Sequence, residues 1–316
     1  MPRSQPAFRR GRSHVIALAA VAASLAAVPK AEAGDYYWNG FFDRWSDQSW
    51  NYNDSLVTGS SIGTPSYVDD LYFGYHSYDD PNGRTYNDYH GDLYLSSLNF
   101  ANQSWTQDSL DDSAINTPAI NVLATSPRVQ LNQTFRAEPG YSLTANVAGG
   151  SELFVTKILG FGALKKTGDG TMTITKYHDT RSGTFVRGGR LIDHDHYGNY
   201  TVDSALEFFV SEAEWSPNTS FAGSIAGPGT FTKSGDATLT LMGSVGYTGD
   251  TFINEGRLIA PLPYSRNITI ANGASLEIPL NQNVTYSGRI TGEGYYVMSG
   301  TGQMTLTGPN DYTGGT

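Results

Sequence analysis

The chain has 316 residues and no cysteine, which excludes disulfides, thiol chemistry and any cysteine-ligated metal. Its formal charge is −10, with 36 glycines, 20 tyrosines and only 16% charged residues. That composition favours strands and turns over helices, and so acidic a surface opposes phosphate backbones, so no nucleic-acid partner is expected.

Residues 1–33 read as an export signal. Arg9, Arg10 and Arg12 precede an apolar run from Val15 to Val28, and Ala31-Glu32-Ala33 fits a small-residue cleavage site before Gly34. The run is too short to span a bilayer, and no second one follows, so no transmembrane helix is expected. Removing this segment takes away five basic residues and one acid, leaving 15 basic and 29 acidic residues and a net charge of −14. The remaining chain is expected outside the cytoplasm.

Residues 34–110 are rich in aromatic and acidic side chains, among them Trp38, Trp45, Trp50, Tyr67, Tyr72, Phe73, Tyr75 and Tyr78. Such aromatics suit either a stacking platform for sugars or a cap that buries the first turn of a β-stack, and the cap is preferred. Asn82-Gly83 is a hairpin signal. Asp69-Asp70 and Asp79-Asp80 offer calcium ligands, but without EF-hand or nonapeptide spacing.

From 111 to 316 the chain reads as a stack of short strands. Leu93–Phe100, just before it, and Asn121–Thr125, Arg128–Phe135 and Tyr141–Gly149 alternate apolar and polar positions, separated by proline and glycine. Then one phrase recurs three times, starting near 160, 227 and 292: GFGALKKTGDGTMTIT, GPGTFTKSGDATLTLM and GEGYYVMSGTGQMTLT. Gly168, Gly235 and Gly300 mark equivalent positions, at nearly equal intervals. Gly170 and Gly302 are the second turn glycines, and Ala237 stands between them in the second copy. Met172 with Ile174, Leu239 with Leu241, and Met304 with Leu306 alternate with polar residues, which marks half-buried strands. These eleven positions are read as structural. One period would hold about three coils of about 20–25 residues. Tyr200–Ala213 parallels Ile268–Asn281, each a strand, turn and strand, and each leads into a short strand, Phe221–Ile225 and Tyr286–Ile290.

The phrase resembles the autotransporter-associated β-strand repeat, also called the passenger-associated transport repeat. Gly160, Gly162, Leu164, Lys166, Gly168, Gly170 and Thr171 carry the likeness in the first copy, and Gly308 to Thr316 match its Asn-x-Tyr-Thr-Gly-Gly-Thr continuation. The Trp-rich opening is similar to that of secreted proteins bearing this repeat. The likeness implies an all-β fold, a right-handed parallel β-solenoid with an aromatic-rich N-terminal β cap. It also implies a secreted or cell-surface bacterial passenger. Its partners would be the translocation machinery during export and cell-surface glycans or matrix. The departures are Met298, where Lys166 and Lys233 stand in the other copies, and Thr180, where Tyr247 and Tyr312 stand. The translocator barrel that the resemblance implies does not appear, and the third copy stops at Thr316, so the sequence reads as a passenger cut short or lacking its anchor.

Few constellations suit chemistry. In Asp193-His194-Asp195-His196, strand geometry would let His194 and His196 converge on a metal with the aspartates opposite. The second copy has Ala260-Pro261-Leu262-Pro263 there, so a solvated variable loop is the preferred reading. Arg190 and Arg257 recur and read as part of a surface ladder. No nucleophile elbow, zincin or phosphate-loop pattern occurs. No catalytic, cofactor-binding or metal-ligating residue is assigned, and no cofactor is expected. The function expected is non-enzymatic and adhesin-like or structural, the alternative being a carbohydrate-active β-helix or a sugar-binding module.

Overall fold

The computed structural model describes residues 35–38, 50–52, 69–73, 84–87, 92–109, 113–213, 219–261 and 265–316. The export signal, the Asn82-Gly83 hairpin, Asp79-Asp80 and most of the aromatic N-terminal segment lie outside them. Every regular element among the described residues is a strand, and nearly all pair in parallel, stacked as a β-solenoid of about ten turns. One antiparallel pair, Asp35–Trp38 with Trp50–Tyr52, precedes the stack.

The coils build three ladders. The first climbs through Asp69–Phe73, Leu93–Phe100, Ala119–Val122, Ser142–Val147, Ala163–Thr167, Thr184–Val186, Tyr200–Val202, Ile225–Gly227 and Val245–Tyr247. The second climbs through Trp105–Ser109, Arg128–Arg136, Glu152–Gly160, Thr171–Thr180, Arg190–Asp193, Ala205–Phe209, Thr230–Ser234, Thr251–Ile253, Ile268–Ile270 and Ile290–Gly292. The third consists of Ser220–Phe221, Thr238–Leu241, Arg257–Ile259, Ser275–Leu280 and Tyr295–Gly300.

Period-two patterning explains the core. On the second ladder Leu153, Met172, Leu191, Leu206 and Phe231 stand in register, and all are fully buried. Each such side chain contributes about 1.5–3 kcal/mol by leaving water, but only once a neighbouring coil covers it. A register shift between Val155 and Lys157 bends the long strands Glu152–Gly160 and Thr171–Thr180 around a corner of the coil.

Coil length varies more than the sequence suggests. Val129 pairs with Leu153 and Leu206 with Phe231, each across a long coil, whereas Leu191 reaches its partner Leu206 across a much shorter one. As a result the repeats do not stack face on face. Ala163–Thr167 of the first copy lies on the first ladder, its counterpart Thr230–Ser234 on the second, and Tyr295–Gly300 on the third. One period is about three coils and one further face, so each copy is turned by a face relative to the last.

Two expectations are corrected. Phe221–Ile225 and Tyr286–Ile290 are not strands but corners, each joining the end of one strand to the start of another. Gly223 and Gly288 pack against the preceding coil there: a Cβ would fall 1.7 Å from the Gly198 carbonyl oxygen and 1.9 Å from that of Arg266.

Candidate functional site

The recurring phrase forms a corner. Gly168 has φ +73°, and a Cβ on it would stand 2.3 Å from the Val147 carbonyl oxygen. Gly170 is pressed as closely on Ala148, so side chains are excluded by the coil below as well as by backbone angle. Gly235, Gly300 and Gly302 make the same close approaches to Val210, Leu280 and Gln282. Met172, Ile174, Leu239 and Leu241 are buried beyond their corners, and Met304 and Leu306 are half-buried.

The recurring lysine is spent at this corner. Lys166 and Lys233 are fully buried. Lys166 Nζ donates to the carbonyls of Thr167 (2.9 Å), Gly168 (2.8 Å) and Gly188 (3.0 Å). Lys233 Nζ repeats this with Ser234, Gly235 and Glu255. Two of each set belong to the lysine's own corner and the third to the next coil, so one ammonium ties two coils together. Burial lowers both amines to about 8, against the opposing pull of Asp169 on Lys166 and of Glu255 and Asp236 on Lys233.

A second clasp joins the corner continuation to the strand after it. Tyr247 OH pairs with Thr251 Oγ1 at 2.8 Å, and Tyr312 OH with Thr316 Oγ1 at 2.6 Å. In the first copy Thr180 replaces the tyrosine, and His178 fills the vacated space. Its Nε2 lies 3.1 Å from both Thr184 Oγ1 and Thr180 Oγ1, and its Nδ1 bonds the Asp193 carboxylate. Tyr200 OH donates to the same carboxylate oxygen at 2.7 Å. Nδ1–H facing a carboxylate leaves Nε2 as the acceptor for a threonine hydroxyl. Desolvation raises the Asp193 pKa, but His178, Tyr200 and His196 outweigh it and hold the carboxyl below its usual range.

This arrangement corrects the reading of Asp193-His194-Asp195-His196 as a solvated loop. Asp193 and His196 are buried. Asp193 follows Leu191 at period two and so points into the core, while His196 stacks on Phe208 at 4.3 Å. His194 instead stacks on the half-buried Phe209 at 4.6 Å, and since Phe208 and Phe209 point to opposite faces the two histidines do not converge. No group of three His, Asp or Glu side chains is placed to hold a metal among the described residues. Sequence reasoning missed His178. The missing tyrosine volume at Thr180 was the signal that a neighbour must fill the gap.

In the second copy the same loop brings in a different group. Arg266 is 5% exposed, its guanidinium 3.6 Å from the centre of the Tyr247 ring and donating to the Tyr247 carbonyl. Tyr286 OH donates to the Arg266 carbonyl, which bridges the gap between Val245–Tyr247 and Val284–Tyr286.

The recurring arginines form the surface ladder that their position suggested. Arg190 pairs with Glu207 and Arg257 with Glu277, each one coil on. Of the aspartate pairs, Asp70 accepts from Ser97 Oγ at 2.5 Å.

A coiled parallel stack with glycine-lined, lysine-capped corners defines the class: a repeat-built β-solenoid whose recurring polar residues serve contact between coils. The chain carries three passenger-associated-transport repeats, matched by that family's model at residues 164–192, 231–260 and 297–316. No curated protein and no solved structure matches it significantly.

Proposed function

We propose that this chain is an exported bacterial passenger whose solenoid serves a structural or adhesin-like role at the cell surface and is not an enzyme. One observation carries the reading: the repeats' lysines and the aspartate–histidine pair that most resembles catalytic machinery face inward and bond one coil to the next, and the hydroxyl of Tyr247 closes a corner within its own coil. The repeats then support folding and secretion, since each coil is completed by its neighbour. Cell-surface glycans or matrix are the partners proposed for the outer faces, and the export machinery the partner in transit.

The test is export from a Gram-negative host with Gly168, Gly235 and Gly300 each replaced by aspartate. Surface-exposed protein should fall in all three variants, and normal export would refute the folding role. Incubation of the purified chain with a polysaccharide panel should release no new chain ends, and release would refute the non-enzymatic reading.

A further inference from the structure

The three repeats close the same joint differently. In the second and third the clasp is Tyr247 with Thr251 and Tyr312 with Thr316, hydroxyl pairs that take up no proton in acid. In the first, the joint holds a carboxylate and an imidazole, His178 and Asp193 both being fully buried. We infer that the first repeat contains an acid-released joint, in which protonation of Asp193 frees the coil between Leu191 and Tyr200 while the corresponding coil of the second repeat stays closed.

Geometry makes this coil the one that can open. It is the short step of the stack, from Leu191 to Leu206, and between Asp193 and Tyr200 the chain forms no strand. Asp193 is its buried polar hold on the neighbours, beside the stacking of His196 on Phe208 and of His194 on Phe209. One carboxylate oxygen accepts from His178 and Tyr200, and the other accepts from the Asp195 amide at 3.2 Å. The groups facing the pair are Tyr200 and Thr184 from the first ladder, Thr180 from the strand of His178, and His196 from the loop, with Asp195 acting on Tyr200. Nothing there replaces the carboxylate as a counter-charge. A proton on Asp193 takes away the negative charge that accepts from His178 and Tyr200 and adds a buried donor facing His178, which weakens both bonds at a fully buried site. The second repeat has Ala260 at the position of Asp193, so it holds no carboxylate there to take up a proton.

Hydrogen exchange resolved by residue tests this on the full chain. Below the unfolded carboxyl value near about 4, each unit of fall in pH should lower the protection factors at Leu191–Tyr200, corrected for intrinsic exchange, by up to about tenfold, while those at Leu258–Ile268 change less. Asp193→Asn should show the fast exchange already at neutral pH. A His178→Phe, Asp193→Ala double variant removes the carboxylate together with its imidazole partner and should lose the acid step, and it decides the matter where Asp193→Asn does not fold. Equal acid sensitivity of the two coils, or an acid step that survives in the double variant, would overturn the inference.

Discussion

Replacing Lys233 by methionine, the residue at the same position of the third repeat, tests what the corner lysine contributes. The ammonium donates to Ser234, Gly235 and Glu255. Methionine fills much of the volume but donates nothing. A buried carbonyl left without a partner costs about 1–3 kcal/mol, so three set an upper bound of about 3–9 kcal/mol. Against this, the variant no longer desolvates a charge, which recovers several kcal/mol. The balance expected is a loss of about 2–4 kcal/mol, read as a lower urea midpoint with unchanged slope. Lys166→Met should cost a similar amount, because its three acceptors are arranged in the same way. The pH profile gives a second reading. With a folded value of about 8 for both lysines and an unfolded value of 10.5, the unfolded chain holds more protons between those limits. Stability should therefore rise with pH from about 8 towards about 10, and the double methionine variant should lose that rise. A Lys233→Met protein as stable as the parent, or an alkaline rise undiminished in the double methionine variant, would refute this account of the corner.

Above about pH 10 the sign reverses. Burial raises the pKa of Tyr200, Tyr247 and Tyr286, and that of Tyr296 to about 12, so the unfolded chain loses protons first and stability falls; phenolate absorbance should show these tyrosines ionising only as the chain unfolds. Gly168→Ala should cost about 3–5 kcal/mol by thermal unfolding, because a Cβ meets the Val147 carbonyl at 2.3 Å and the left-handed backbone adds about 1–2 kcal/mol; no change in midpoint would contradict the packing of the corner. Tyr247→Phe removes the hydroxyl that bonds Thr251 and also interacts with Arg266, and should cost about 1–2 kcal/mol by the same measurement.

The ladders were largely legible in the sequence, because alternation such as Met172-Thr173-Ile174 or Leu239-Thr240-Leu241 has one physical meaning on a half-buried strand. Leu93–Phe100 is a strand with the bounds its pattern gave, and Tyr200–Ala213 and Ile268–Asn281 each hold the two strands expected. What stayed hidden depends on neighbours distant in sequence. The interval between Gly168 and Gly235 does not say whether the period closes on the same face, and unequal coils make it close one face further on. The role of Lys166 was not legible, because its acceptors are backbone carbonyls, which a sequence does not show. Asp193 was misread through its second-copy counterpart Ala260, although the alternation from Leu191 already pointed it inward. His178 could be placed only once the space left by Thr180 was seen.

The central claim is a stack of unequal parallel coils, and disulfide trapping in this cysteine-free chain tests it directly. Thr232 stands beside Phe252, and Phe252 beside Thr269, in register on the second ladder. Neighbouring strands are about 4.8 Å apart, within disulfide reach. Cysteine pairs at 232 and 252, and at 252 and 269, should both close readily on oxidation, while a pair at 232 and 254, the spacing that equal coils would require, should stay open. Closure of the last pair in preference to the first two would contradict the account.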